Sequence, residues 1–124
     1  MFYRLIVIKN SLNDLTILNG LEILSQTSFA TNDPLRSSRM LKVRIPEERV
    51  EKLVKELKQN LISPYYAHLY HEDPKVNELI VVFQGRSLAT HKNNFQPAVE
   101  YGLAHGVTSE EMDITPRDIT QETW

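Results

Sequence analysis

Met40-Leu41-Lys42-Val43-Arg44-Ile45, followed at once by Pro46-Glu47-Glu48-Arg49-Val50-Glu51-Lys52-Leu53-Val54-Lys55-Glu56-Leu57-Lys58-Gln59-Asn60-Leu61, contains the change of hydrophobic period that decides the fold. In the first six residues Leu41, Val43 and Ile45 alternate with Lys42 and Arg44, the pattern of a strand with one buried and one solvent-facing side. From Pro46 the period lengthens. Val50, Leu53, Val54, Leu57 and Leu61 fall on one stripe of a helix. Pro46 suits the helix start, where its missing N–H has no partner to lose. Glu47 and Glu48 lie at the positive end of the helix dipole, and Glu48–Lys52 and Glu51–Lys55 have the spacing of i,i+4 ion pairs. Ser63-Pro64 ends the element, so the expectation is a helix over about 46–61.

Upstream, Phe2 to Lys9 is rich in β-branched and aromatic residues and reads as a buried strand. The run is too short to span a bilayer, and it lacks the basic flank and small-residue cleavage site of a signal peptide. Leu15 to Leu24 around Asn19-Gly20 fits either a hairpin or a helical turn followed by a strand. The helical turn is favoured, capped by Ser11 or Asn13 and stopped at Gly20, with a strand from Leu21 to Phe29. Thr31-Asn32-Asp33-Pro34 is turn chemistry, and Arg36-Ser37-Ser38-Arg39 a polar connection.

Downstream, Tyr65–His71 and Glu78–Gln84 read as paired antiparallel strands joined by a Pro-containing turn. Leu79 to Phe83 is apolar enough to be central, Gly85 breaks it, and Ser87–Thr90 resumes as an edge strand. Asn94 is placed to cap a second helix over about 95–105, closed at Gly106 with Val107 behind it in a Schellman pattern. Thr108-Ser109-Glu110-Glu111 is a capping box. The expected fold is therefore α+β: a largely antiparallel sheet with two main helices, a ferredoxin-like core being the specific expectation. One domain should occupy 1–113, with 114–124 a mobile tail unless Trp124 docks.

The 124 residues are 41% hydrophobic and 24% charged, the mix of an ordinary globular domain. With no cysteine, disulfides, thiolate metal sites and cysteine nucleophiles are excluded, and a cytoplasmic setting fits. Four glycines give neither GxGxxG nor GxxxxGK[ST], so a glycine-cradled nucleotide site is excluded too. The net charge of −2 argues against a dedicated nucleic-acid binder and gives a basis only for a weaker reading through the basic 36–58 segment. That segment has eight basic residues against four acidic, whereas 100–124 has six acidic against Arg117 alone. Such halves either meet one another, within a chain or between two, or are solvated separately.

On a strand Tyr66, His68 and Tyr70 share one face, opposite Ala67, Leu69 and His71. His68 and His71 therefore cannot chelate one ion, and no metal or other cofactor is expected. The Tyr66/His68/Tyr70 row offers a polar-tipped aromatic surface for a ligand or partner, against the simpler reading of aromatic pairing within the sheet. Arg86, after Gly85, and His91-Lys92, ahead of the last helix, are candidate contacts to a small anionic ligand. An ordinary turn and a helix cap explain the same residues more economically.

Tyr65-Tyr66-Ala67-His68-Leu69-Tyr70 together with Val99-Glu100-Tyr101-Gly102-Leu103-Ala104-His105-Gly106 and the acidic turn after it resembles a family of small prokaryotic α+β proteins to which no activity is assigned. The resemblance implies a free-standing prokaryotic protein and no catalytic residue. The functional expectation is a non-enzymatic binding or assembly module, homo-oligomeric and without a membrane partner. The alternative is a small-molecule enzyme with His68 as acid/base and Arg86 or Lys92 holding an anionic group.

Overall fold

The computed structural model describes residues 1–29 and 38–124, so the turn expected at Thr31 to Pro34, and Arg36 and Ser37 beyond it, lie outside the described residues. The strands are β1 (Phe2–Ile8), β2 (Glu22–Phe29), β3 (Ser38–Pro46), β4 (Tyr66–His71), β5 (Glu78–Phe83) and β6 (Arg86–His91); the helices are α1 (Val50–Asn60) and α2 (Gln96–Ala104). They form one six-stranded sheet in the order β2-β3-β1-β4-β5-β6, antiparallel throughout. The class is α+β. Since β3 and β4 both flank β1 antiparallel to it, they run parallel to each other, with α1 as their crossover. That split β-α-β unit is shared with a ferredoxin-like core.

Strand alternation then sends the two helices to opposite faces. Tyr3, Leu5 and Val7 of β1 join Leu41, Val43, Ile45, Ala67, Leu69 and Val82 under Val50, Leu53 and Leu57 of α1. Ile6, Tyr70, Leu79, Val81 and Phe83 point the other way and pack with Ala98 of α2 and with Val107, Met112 and Ile114 beyond it. A ferredoxin-like sandwich would hold both helices on one face. Here a second cluster of apolar side chains needs its own cover, and α2 with the segment after it provides that cover.

Local chemistry explains the element ends. The helical stripe at 46–61 begins as a 3-10 turn over Glu47–Arg49 and becomes α only at Val50, while Pro46 closes β3. Along α1 Lys52 and Glu56 form an ion pair at 3.8 Å, between an exposed and a half-buried partner, and such a pair contributes little. The turn before β2 is a 3-10 turn over Leu15–Leu18. Asp14 caps it by accepting from the Thr16 N–H at 2.9 Å, in place of the Ser11 or Asn13 expected. Ser11 is buried and donates to the Ile8 carbonyl instead.

Asn94 is likewise not the cap of α2. It bonds back to His91 in a tight turn, Phe95 takes the N-cap position without a side-chain bond, and Pro97 stands in the first turn. The C-terminus behaves as its sequence predicts: Gly106 takes a φ of 96°, and the Val107 N–H bonds the Gly102 carbonyl in the Schellman geometry. The Thr108–Glu111 box also forms, with the Glu111 N–H on the Thr108 hydroxyl.

Candidate functional site

The Tyr66/His68/Tyr70 row does share one face of β4, but it is not an open surface. Each polar tip is taken by the chain's own C-terminal segment. The Tyr66 hydroxyl donates to the Glu111 carbonyl at 2.5 Å, His68 Nε2 lies 2.7 Å from the Pro116 carbonyl, and the Tyr70 hydroxyl donates to Glu122 Oε1 at 2.6 Å. A carbonyl only accepts, so Nε2 of His68 carries the proton. The ring is 3% exposed, and burial pushes its pKa down to about 4, against the pull of the Pro116 carbonyl in the other direction. It is neutral at pH 7. Burial also raises the Tyr66 and Tyr70 hydroxyls, with nearby carboxylates adding to the effect.

The segment 107–124 therefore lies across the sheet as a strap. Ile114 is fully buried, Asp118 caps a 3-10 turn over Ile119–Gln121, and Trp124 packs at the edge of the second apolar cluster. The boundary expected at 113 is not an end of packing, and the docking of Trp124 is the condition under which the tail was expected to be ordered.

Beneath the strap's end the cross-strand register lines up charge. Arg4 of β1 stands opposite Arg44 of β3 on one side and Tyr70 of β4 on the other, and Ile6 stands between Lys42 and His68. Two arginines directly opposite each other repel. Glu72, just past β4, bridges them, at 2.6 Å from Arg4 and 3.0 Å from Arg44. Burial works against the charged form of Glu72, but hydrogen bonds and charge from Arg44 and Arg4 outweigh it and hold its carboxyl below the usual range. Glu122 closes the other side. Its carboxylate accepts from Arg4 Nη1 at 3.1 and 3.0 Å, from Lys42 Nζ at 3.3 Å and from Tyr70.

Lys42, expected on a solvent-facing side, is 5% exposed. Trp124 lies over its ammonium at 5.0 Å to the ring centre and accepts from it through the main-chain oxygen. The basic and acidic stretches of the sequence thus meet within one chain. The basic 36–58 segment is not one surface, because Lys42 and Arg44 occupy the face opposite α1 and its lysines.

The remaining candidates are dispersed. Arg86 pairs with Phe83 at one end of β6, its guanidinium 5.4 Å from the Tyr101 ring centre, whereas His91 pairs with Glu78 at the other end and is exposed. Six residues of strand separate those ends by roughly 17 Å. Lys92 is engaged by Asp118 at 2.9 Å and donates to the carbonyls of His71 and Asp73. Burial opposes the charge on Asp118, yet the Thr120 N–H and Lys92 keep its carboxyl below its ordinary value. His68 and His71 face opposite sides, and His71 Nδ1 accepts from the Asp73 N–H.

A cleft of about 110 Å³ opens between Pro64, Tyr65, Phe83, Tyr101 and His105, and none of the six candidates lines it. Among the described residues no three His, Asp or Glu side chains gather as a metal site requires, and no helix is long and apolar enough to cross a membrane. The cluster that the structure does assemble, Arg4, Lys42, Tyr70, Glu72 and Glu122, was named in sequence only through Tyr70. Its signal was the opposite charge of the two stretches.

No family model, curated protein or solved structure matches the chain.

Proposed function

We propose that the chain is a non-enzymatic assembly module whose copies join edge to edge through β2. The observation that carries this is the character of that edge. β2 has β3 as its only sheet neighbour among the described residues, and Glu22-Ile23-Leu24-Ser25-Gln26-Thr27-Ser28-Phe29 contains no Lys, Arg or Pro. Ile23 is 50% exposed on it. Lys, Arg and Pro are residues that natural edge strands use to refuse a second strand. On β2 the only such devices are Glu22 and a register shift between Ile23 and Ser25, both at its start, which leaves Gln26 to Phe29 open to pairing. The opposite edge, β6, is shorter, begins with Arg86 and is touched by both helices. A two-fold antiparallel pairing of β2 with its copy extends the sheet continuously and satisfies the free backbone groups of both strands.

The reading of His68 as acid/base draws no support from the geometry: the ring is neutral, enclosed and bonded to Pro116, and Lys92 is already paired with Asp118. Sedimentation equilibrium tests the assembly. The chain is expected to be a dimer at micromolar concentration, and Ile23→Lys, which sets two charges against each other across the two-fold, to be a folded monomer. A strict monomer throughout that range ends the proposal.

A further inference from the structure

Lys42 Nζ and the Tyr70 hydroxyl are donors of the sheet, 5% and 0% exposed as residues, and among the described residues every hydrogen bond they make is to residues 122–124. Arg4 is shared: Nε is held by Glu72 and Nη1 is aimed at Glu122. Without Glu122, Arg4 and Arg44 share the single carboxylate of Glu72, the enclosed ammonium of Lys42 has no carboxylate and keeps only the Trp124 main-chain oxygen, and the Tyr70 hydroxyl has no acceptor. Buried donors in that condition are costly, so the body of the domain is built to hold a carboxylate at this spot.

We propose that Arg4, Lys42 and Tyr70 form a carboxylate-binding site, which the chain fills with its own Glu122 and which accepts an acidic peptide in trans when residues 119–124 lift. The occupant's pattern is read from the built-in one: a carboxylate two residues before an aromatic side chain, the carboxylate taking the guanidinium, ammonium and phenol and the aromatic ring covering the ammonium. The strap's end is suited to lifting. The Ile119–Gln121 turn has no fully buried residue, and residues 122–124 add no strand to the sheet. Ile119 and Trp124 pack half-buried at the edge of the second apolar cluster, and the other contacts are polar ones that water can replace. Farther back, Ile114 and Met112 are buried and anchor the strap, so its end opens as a flap while the apolar cover stays in place.

Trp124 is the only tryptophan, which makes its fluorescence a direct reader of the flap. The probe is a synthetic peptide with the sequence of residues 114–124 and phenylalanine in place of the tryptophan. Titrated into the full chain carrying Glu122→Gln, it is expected to give a saturable red shift of Trp124 emission. Saturation should need about tenfold less peptide than in the unsubstituted chain, whose own segment competes at an effective concentration on the order of millimolar. The same peptide with Glu122→Gln should give no shift in that range, and adding Lys42→Met to the host should remove the response. Circular dichroism establishes that the hosts are folded. If Glu122→Gln does not fold, the unsubstituted chain decides alone, since displacement is then expected by roughly 10 mM peptide. No shift in either chain by that concentration, or equal shifts with the acidic and the neutral peptide, overturns the site.

Discussion

The two faces of the sheet are covered by different means. Under α1 the cover is chiefly apolar: Leu5, Val43, Ile45, Leu57, Leu61, Ala67, Leu69 and Val82 are fully buried there, and Tyr3 and His71 are the polar-tipped exceptions. The opposite face is apolar where α2 and the first part of the strap, with Val107, Met112 and Ile114, cross it. Under the rest of the strap it carries Lys42, His68, Tyr70 and Arg4, each enclosed or half-enclosed and bonded to Pro116 or Glu122 of the strap. One face is held by transfer of hydrocarbon from water, which needs no particular partner. The other depends on matched donors and acceptors, where losing one member leaves the other stranded. The first should therefore set stability, and the second the conditions under which the fold holds.

The largest expected effect tests the first half of that contrast. Leu57→Ala removes a fully buried side chain from the centre of the α1 face, and a cavity there should cost roughly 4 kcal/mol. Urea denaturation measures it, with the midpoint falling and the slope unchanged. A loss below about 1 kcal/mol, as expected for a surface site, would mean that α1 is not the principal cover and would break the comparison.

The same contrast explains what could be read in advance. Leu41, Val43 and Ile45, and the stripe from Val50 to Leu61, announce the α1 face because each pattern lies within one element and its period is fixed by backbone geometry. The Gly106 stop was legible for the same reason. Lys42 reads locally as a solvent-facing residue, since its partner Glu122 is 80 residues away and no local pattern ties them. His68 and Tyr70 were picked out correctly as sharing a face, but their cover by Pro116 and Glu122 depends on the path of the strap. Asn94 shows the limit at short range: its main chain pairs back to His91 in a tight turn, and the N-cap position falls to Phe95 instead.

The second prediction separates the faces by pH. His68 sits at a pKa of about 4 in the fold and near 6.5 when free, so the unfolded chain takes up a proton between those values and the folded chain does not. Its contribution is thus fully present above pH 6.5 and is lost as pH falls toward 4, by about 3 kcal/mol at 1.36 kcal/mol per pKa unit. Glu72 and Asp118 are depressed carboxylates, whose stabilisation is present above their ordinary values and lost only as pH falls below them. The window from 6.5 to 4 therefore belongs chiefly to the ring under Pro116. His68→Gln should lose that part of the slope, and Leu57→Ala should keep it while sitting lower at every pH. Parallel denaturation curves for the unsubstituted chain and His68→Gln would show that the strap does not exclude water from the ring.

Gly106 is the joint between the two kinds of cover, standing after the last turn of α2 and before the strap begins at Val107. Its φ of 96° is one that side-chain-bearing residues rarely adopt. A Cβ there would meet only Pro64 Cβ at 3.7 Å, an ordinary contact, so Gly106→Ala tests backbone conformation alone. The expected cost is about 1 kcal/mol. Where that cost appears sharpens the comparison. If α2 and the strap fold as one cover, the substitution lowers the midpoint of a single transition. If the strap's end opens independently, Trp124 emission should still move to the red before the circular dichroism changes, and the gap between the two transitions should be the same in Gly106→Ala as in the unsubstituted chain. The strain sits at the root of the strap, whereas the flap is held at Glu122 by Arg4, Lys42 and Tyr70, and those contacts do not pass through Gly106.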